Sequence, residues 1–368
     1  MSLGALLLVD RERLRDEYAQ LGRLAVALTI NGCNLQVATP GPPFGDDHPA
    51  DGPIGLDEPI RYPDRVAPWL RQSRSEALLE RLDRRSIDLL WCAGHRSWRL
   101  ASSLSLMLER PMVIDVDGYA EAASLRRQRG LRSAVAGVIT PSGPLRELVA
   151  RSFTNCEVTS ILPGIALGDR DRELRRDPES DGPLGLSILG TGRNRNHDRV
   201  LLEALARLRD RGVSFQCVME LSGPVSRATW RTAQKLELTD VLTAIEEPAR
   251  MAPLLAAGDV LVRASIEDRI RPVVLQAMAE GTPVVTMPER WLDHLDENHG
   301  ATVVQRPTSQ CWLEALDRLL GDRAHREAQG EQACNTVSAH NRSSHRARLV
   351  HDLFERIVGH DPLPMHEE

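Results

Sequence analysis

Residues 259–288 constrain the fold more than any other part of the sequence. They begin with the apolar run 260–262, which is short enough for one buried parallel strand. A charged turn follows, and Pro272 then occupies the place of a first helical residue, where its φ is already helical and no N–H is needed. Gly281 ends this helix as a left-handed residue, and a second apolar run begins at Pro283. The stretch therefore predicts strand, loop, helix and strand.

Two arginines, Arg269 and Arg271, precede the predicted helix of residues 272–280. The first N–H groups of a helix have no partner within it, and the helix dipole is positive at that end. A helix start beside two cations therefore favours an anion, and we expect a phosphate group there. The alternative interpretation is a surface loop in which residues 267–271 only form ion pairs with one another.

Residues 276–285 read QAMAEGTPVV and carry a resemblance to a known family. Together with residues 259–275 they are similar to the signature region of glycosyltransferase family 4, which typically reads PSxxEGFGxxxxEAMAxGxPVV. Asp268 and Gln276 occupy the places of the two glutamates of that motif. The resemblance implies the GT-B fold, with two Rossmann-like, doubly wound parallel-sheet domains facing a cleft. It also implies sugar transfer from a nucleotide-sugar, with retention of the anomeric configuration of the sugar.

Strands and helices alternate along the rest of the chain, which predicts an α/β architecture with parallel sheets. A charged, turn-rich segment without apolar periodicity separates two such halves. The predicted parts are an acceptor-side domain at 1–165, a linker at 166–184, a nucleotide-sugar domain at 185–340, and a C-terminal helix and tail at 341–368, which by the resemblance crosses back onto the first domain. Within the first half, residues 40–63 are rich in Pro, Gly and Asp and are predicted to form a long surface loop.

Polar residues follow the predicted strands of the first half, and ligands of doubly wound sheets bind beyond the carboxyl ends of the strands. His95 follows the strand of residues 87–92, and Asp117 follows the strand of residues 112–116. Both are predicted as catalytic residues on the acceptor side. Two interpretations of His95 stay open, namely contact with substrate and a loop histidine that is satisfied by its neighbours.

The first loop of the second half, residues 190–197, reads GTGRNRNH. The resembled family holds the donor diphosphate in this loop with an arginine and a lysine, and here Arg193 and Arg195 lie close enough in sequence to supply the charge. The alternative is a glycine-bearing turn whose arginines lie in solvent. The predicted donor-binding residues are Gly190, Arg193, Arg195, Arg269, Arg271 and Gln276.

The predicted chemistry needs no metal and no other cofactor, since cationic side chains and the helix dipole stabilise the departing phosphate. Gln276 is expected to accept a hydrogen bond from a ribose hydroxyl. Glu267 or Asp268 is expected to lie near the sugar, and both are predicted as catalytic.

Composition limits the other function classes. At 368 residues, with 42% apolar residues, the chain suits two domains that each have a core. A net charge of −6 argues against a general nucleic-acid binder. Six scattered cysteines without a C-x-x-C pair argue against a metal or disulfide framework and favour the cytoplasm. The N-terminal apolar run, residues 5–9, is too short to span a membrane, which leaves peripheral contact with the inner membrane face as the predicted alternative.

Three function classes stay open. The leading hypothesis is a glycosyltransferase whose partners are a nucleotide-sugar and an acceptor, which is a glycan, a lipid or a small molecule. The rival is a catalytically inactive relative that binds ligands or accompanies an active transferase. Two departures from the family favour it: Asp268 and Gln276 replace the two glutamates, and the arginine and lysine of the 190–197 loop are missing from their usual places. The third is a nucleotide-sugar epimerase of the same fold.

Overall fold

A computed structural model divides the chain into two compact units. The first unit comprises Met1–Ala166 and Ser343–Glu368, and the second comprises Leu167–Arg342. The residues that the structure describes are 3–41, 54, 58–64, 66–167, 182–246, 252–256, 258–267, 269–293 and 295–359. Most of the predicted linker, residues 168–181, lies outside this set.

A parallel sheet forms the centre of the first unit. Its strands, among the described residues, are β1 Leu3–Val9, β2 Cys33–Gly41, β3 Ile60–Pro63, β4 Leu89–Ala93, β5 Met112–Asp115, β6 Val135–Thr140 and β7 Glu157–Ser160. They lie in the order β3-β2-β1-β4-β5-β6-β7. Strands such as β1 are almost wholly apolar and buried, because helices cover both faces of such a sheet.

The helices of the first unit connect these strands. They are α1 Arg11–Ile30, α2 Arg71–Leu79, α3 Trp98–Leu108, α4 Tyr119–Arg127 and α5 Gly143–Ala150, with α12 Ser343–Gly359 at the far end of the chain. The sequence prediction missed α4. The prediction of one loop over residues 40–63 is wrong at its ends, because β2 extends to Gly41 and Ile60–Pro63 forms β3. Proline fits there because β3 is an edge strand, where one N–H is not needed.

The second unit repeats the same architecture. Within the described residues its strands are β8 Leu184–Leu189, β9 Phe215–Glu220, β10 Leu242–Ile245, β11 Val260–Arg263, β12 Val284–Thr286 and β13 Ala301–Val303. Its helices are α6 Arg195–Asp210, α7 Ser226–Lys235, α8 Ala252–Ala256, α9 Pro272–Ala279, α10 Ser309–Gly321 and α11 Arg323–His340. The sheet order is β10-β9-β8-β11-β12-β13, again with parallel neighbours.

The last helix belongs to the core of the first unit although it follows the second unit in sequence. Helix α12 packs against α1, and its Phe354 is fully buried in an edge-to-face contact with Trp91 of β4, at 5.6 Å between ring centroids. Aromatic pairs in this geometry stabilise beyond the area that they bury.

Both sheets have one point at which the strand order reverses. In the first unit it lies between β1 and β4, and in the second between β8 and β11. Ligands of doubly wound sheets bind beyond the carboxyl ends of the two strands at this position. The residues that follow β1, β4, β8 and β11 therefore form the candidate sites.

Candidate functional site

The reversal point of the second unit brings two loops together. Gly190 follows β8 and has φ +79°, a left-handed conformation that favours glycine. A Cβ at this residue would lie 2.5 Å from the Ser265 Oγ in the loop after β11. Only glycine therefore allows the two loops to approach this closely.

Glu220, the last residue of β9, receives hydrogen bonds from both loops and is 1% exposed. Its Oε2 accepts from the Gly190 N–H and from Nη1 of Arg271, both at 2.7 Å, and its Oε1 accepts from the Ser222 hydroxyl at 2.5 Å. Burial acts to raise the pKa of Glu220, but the charge of Arg271 and these hydrogen bonds outweigh it, so the pKa lies below its ordinary value. Glu220 is therefore a buried anion at neutral pH.

Glu267 lies beside this ion pair. Its side chain is 4% exposed, with Oε1 at 3.7 Å from Nη1 of Arg271 and 3.4 Å from Nε of Arg193. Within the described part of the chain, neither oxygen of Glu267 has a hydrogen-bond partner, and the buried Ser265 Oγ also has none. Buried polar atoms without partners are rare in folded proteins and indicate a ligand or a water at that place.

The loop after β8, residues 190–194, leads directly into α6, and we call it the glycine loop. The arginines of this region are exposed to solvent. Asn194 caps the helix by accepting from the N–H groups of Asn196 and His197, and the side chains of Arg193 and Arg195 are exposed. On the inner side, the carboxylate of Asp198 accepts from the Gly192 N–H at 2.9 Å. The loop is thus fixed from within, and both arginines remain accessible to an anion.

The start of α9 has the predicted form. Pro272 is its first residue, and Arg271 precedes it in extended conformation without a side-chain cap. The guanidinium of Arg271 is 5% exposed and contacts Glu220 and Glu267, which the sequence did not show. Gln276 donates to Glu280 along the helix, and the carbonyl of Arg269 accepts from Arg263.

Asp268 lies outside the described residues. The predicted donor-binding residues fall into two groups. Gly190, Arg193, Arg271 and the catalytic candidate Glu267 lie together around Glu220. Arg195 is exposed in the first turn of α6, and the hydrogen bonds described above join Arg269 to Arg263 and Gln276 to Glu280.

At the reversal point of the first unit, Asp10 caps α1 and is 1% exposed. Its carboxylate accepts from the N–H groups of Arg13 at 2.9 Å and Arg96 at 3.2 Å. Gly94, with φ +99°, follows β4, and a Cβ there would overlap this carboxylate at 2.2 Å. The loop that carries His95 therefore closes directly over the start of α1.

Glu121, on the first turn of α4, connects the two catalytic residues predicted for this unit. Its carboxylate accepts from the backbone N–H of His95 at 2.8 Å and of Asp117 at 3.0 Å. The His95 Nδ1 lies 3.7 Å from Oε1 of Glu121. Burial, with the charge of Asp117, raises the pKa of Glu121 to about 8, and the contact with Glu121 raises the pKa of His95. Both shifts favour the protonated forms of the two groups.

Asp115, by contrast, belongs to the core. It is 3% exposed and accepts from Nη2 of Arg346 at 2.6 Å, and Nη2 of Arg13 lies 3.7 Å from it. Asp117 is only partly buried. The difference arises because Asp115 is the last residue of β5, whereas Asp117 lies in the loop between β5 and α4.

The ligand atoms of Asp10, His95 and Glu121 lie within 4.8 Å of one another, a spacing that a metal ion can bridge. The surroundings do not fit a cation. The carboxylates already accept backbone N–H groups, and Nη1 of Arg13 lies 3.7 Å from Oε2 of Glu121. The charge of Arg13 opposes a second positive charge at this place.

Sequence reasoning missed Asp10, Glu121 and Glu220. Asp10 and Glu220 could have been found, because each stands at the carboxyl end of a strand, where ligands of doubly wound sheets bind. Glu121 gave no such signal, because α4 itself was not predicted.

Replacing Glu121 by glutamine should lower the pKa of His95 towards its ordinary value of 6.5, because the nearest carboxylate is removed. A proton-NMR titration of the His95 ring, assigned with a His95→Ala variant, measures this. Glu12→Gln is the control, since that exposed carboxylate makes a smaller contribution. An unchanged His95 titration in Glu121→Gln would show that the contact does not hold in solution.

Residues 186–322 match the protein-family model described as Glycosyl transferases group 1. This part of the chain is a group 1 glycosyltransferase domain. The resemblance that residues 276–285 carry is thereby confirmed, since they lie inside the matched region. The group 1 domain contains β8 to β13 and includes Gly190, Arg193, Glu220, Glu267 and Arg271.

Two curated relatives match beyond the group 1 domain. The chain is 27% identical over 312 residues to the D-inositol 3-phosphate glycosyltransferase of Corynebacterium jeikeium, covering 75% of this chain and 74% of that protein. It is 31% identical over 260 residues to the protein of the same name from Pseudarthrobacter chlorophenolicus, covering 64% and 61%. The leading hypothesis, a glycosyltransferase, is confirmed at the level of the family, whereas retention and the acceptor stay predictions.

Among solved structures, the Anabaena protein HepE in complex with UDP and glucose superposes with a TM-score of 0.71 at 13% identity. The likeness covers 96% of this chain and all of that chain. At this identity it shows the fold, and the predicted GT-B fold is confirmed. Among the described residues, no helix has the length and apolar content that a membrane span needs.

Proposed function

We propose that the chain transfers a sugar from a nucleotide-sugar, bound at the reversal point of the second unit, to a hydroxyl of an acceptor. The observation that carries this proposal is the buried carboxylate of Glu267, whose oxygens lack hydrogen-bond partners within the described residues. Ser265 Oγ lies in the same loop and shares this property. Sugar hydroxyls can donate to the carboxylate and accept from the serine, so a sugar satisfies both groups.

The diphosphate of the donor is proposed to lie at the start of α9, where N–H groups and the helix dipole favour an anion. Arg271 or Arg269, with Arg193 or Arg195, supplies positive charge. The same groups stabilise the phosphate as it leaves, because negative charge grows on it when the bond to the sugar breaks. No metal is required for this step.

The remaining predicted residues complete the proposal. Gln276 is proposed to accept from a ribose hydroxyl, and Glu267 or Asp268 to contact the sugar, with retention at its reacting carbon. In the first unit, His95 and Asp117 are proposed to contact the acceptor, since Glu121 holds both loops by their N–H groups. A hydroxyl acceptor gives up a proton, and His95 is a residue type suited to accept it.

A thermal-shift panel with UDP-, GDP- and ADP-sugars tests donor binding. The Anabaena neighbour is described in complex with UDP and glucose, so UDP-glucose is the first probe. A ligand at 100 times its dissociation constant stabilises by about 2.7 kcal/mol, which such an assay detects. Release of the nucleoside diphosphate is then measured with candidate acceptors. D-inositol 3-phosphate is included because both curated relatives are named for it.

Replacing Arg193 and Arg195 together by alanine should weaken nucleotide-sugar binding by about 1.5–3 kcal/mol, the worth of a charge-assisted hydrogen bond. Calorimetry with the best donor of the panel measures the change. Arg207→Ala is the control, because this arginine of α6 is exposed and donates to Gln310 instead. Equal affinities of the double variant and the wild type would place the diphosphate elsewhere.

If this chain is instead a catalytically inactive relative of the glycosyltransferases, these assays would give a different result. Donor binding without any release of nucleoside diphosphate, across acceptors and in water, would favour a binding protein over a transferase. The altered places of the family motif, Asp268 and Gln276, are the observation that keeps this second candidate.

A further inference from the structure

Four charged side chains in contact with one another at the start of α9 balance each other's charge. Glu220 and Glu267 bring two negative charges, and Arg271 and Arg193 bring two positive charges, with the closest contact at 2.7 Å between Arg271 and Glu220. Among these four described residues the sum is zero. A diphosphate is strongly negative, so a site that holds it well is expected to carry an excess of positive charge.

Glu220 accepts hydrogen bonds from Arg271, which the proposed function gives to the phosphate, and from Gly190, which the sequence predicts to bind the donor. It accepts the N–H of Gly190, which is the first residue of the glycine loop, and the guanidinium of Arg271, which immediately precedes α9. Backbone N–H groups and arginines are also the common ligands of phosphate oxygens. The carboxylate thus satisfies, from within the chain, groups that are suited to bind the ligand.

We propose that Glu220 is an internal anion that sets the affinity of this site for the donor's diphosphate. It lowers that affinity by neutralising Arg271, by engaging the Gly190 N–H and by repelling the phosphate charge. This inference rests on the proposed function, because it assumes that the diphosphate lies at the start of α9. It also makes Glu220 a residue that decides which ligands bind, rather than only a part of the core.

Three observations support a role beyond packing. Glu220 is the final residue of β9, and its Oε1 accepts from the hydroxyl of Ser222, an exposed residue of the following loop. Its Oε2 accepts from two donors that belong to different loops. The pKa of Glu220 lies below its ordinary value, so the carboxylate keeps its charge wherever a sugar-transfer assay is run.

Glu220→Gln tests the proposal, because glutamine keeps the size of the side chain and an oxygen for the Gly190 N–H while it removes the charge. Isothermal titration calorimetry with UDP and with inorganic pyrophosphate compares this variant with the wild type. We expect at least tenfold tighter binding of both, which is about 1.4 kcal/mol. Adding Arg271→Ala to Glu220→Gln should remove this gain, since the freed guanidinium provides it.

Glu289→Gln is the matched control. Glu289 is also a buried carboxylate of the second unit with an arginine partner, Arg263 at 2.5 Å, and both side chains are 1% exposed. It lies outside the group around Glu220. If loss of any buried negative charge tightened binding, this variant would gain as much as Glu220→Gln. We expect its affinity to change by less than about threefold.

The outcomes separate this inference from the proposed function. If the wild type binds UDP and Glu220→Gln binds equally or more weakly, Glu220 is a structural brace and the inference is wrong, while the proposed function stands. If only Glu220→Gln binds, the inference holds and donor binding by the natural chain fails. If neither binds, both fail.

Circular dichroism and thermal unfolding check that Glu220→Gln is folded. If it is not, Ser222→Ala provides the second test, because it removes the hydrogen bond to Oε1 and leaves the carboxylate easier to displace. We then expect at least a twofold gain in affinity for UDP, and a loss of affinity would overturn the proposal.

Discussion

Replacing Arg271 by methionine should lower the free energy of unfolding of the second unit by about 3–5 kcal/mol. Methionine keeps the apolar stem but removes the charge, so Glu220 is left buried without its cation. Burying an ionised carboxylate without a partner is far more costly than the ion pair itself is stabilising. Urea denaturation followed by circular dichroism measures the loss.

Two comparisons isolate the effect of charge. Arg356→Met removes a cation from an exposed pair with Glu157, and such pairs contribute less than about 1 kcal/mol. Glu220→Gln combined with Arg271→Met should recover at least half of the loss, because no buried charge remains. A single Arg271→Met variant as stable as Arg356→Met would contradict the buried ion pair.

The same pair has a predictable pH dependence. The pKa of Glu220 in the folded chain lies below its ordinary value of 4.5. A lowered carboxyl pKa stabilises the folded state above the unfolded-state pKa, and this contribution disappears as the pH falls through the folded-state value. The difference between wild type and Arg271→Met should therefore be constant above about pH 5 and shrink in more acidic solution.

The second large effect is expected at Arg346 of α12. Replacing it by methionine should lower the free energy of unfolding of the first unit by about 3–5 kcal/mol. Its guanidinium donates to Asp115 at 2.6 Å and to the carbonyls of Ile161 and Leu162 at 3.1 and 2.9 Å. The substitution leaves a buried carboxylate short of a cation and two carbonyls short of a donor.

Arg348→Met is the matched control for Arg346, because it is the same substitution on an exposed residue of the same helix. Chemical denaturation of the two variants, followed by fluorescence, should show a large loss for Arg346 and a change within about 0.5 kcal/mol for Arg348. Similar losses in both would mean that α12 is held by its apolar face alone.

Local sequence signals predicted much of the second unit. Pro272 and Gly281 mark the two ends of α9, and Gly281 has the left-handed φ of +75° that ends a helix. These signals act over a few residues, so they can be read without knowing the fold. The parallel sheets follow from the alternation of strands and helices, which is also a local property.

The partners of the site residues could not be predicted in the same way. Arg271 meets Glu220 across 51 residues of sequence, and nothing near either residue specifies the other. Helix α4 was missed because its buried face includes Glu121 beside Ala122 and Leu125, so apolar periodicity is weak. That polar residue is buried because it holds the loops of His95 and Asp117, so the feature that hid the helix is part of the candidate site.

The return of α12 to the first unit has a consequence for synthesis. Asp115 and Arg346 are separated by 231 residues, so the ribosome needs on the order of 10–50 s to make the second after the first. During that time the apolar surface that α12 will cover, including Trp91, has no partner, whereas the second unit is one continuous segment and can fold as it emerges. We therefore expect the nascent first unit to depend on a chaperone more than the second unit does.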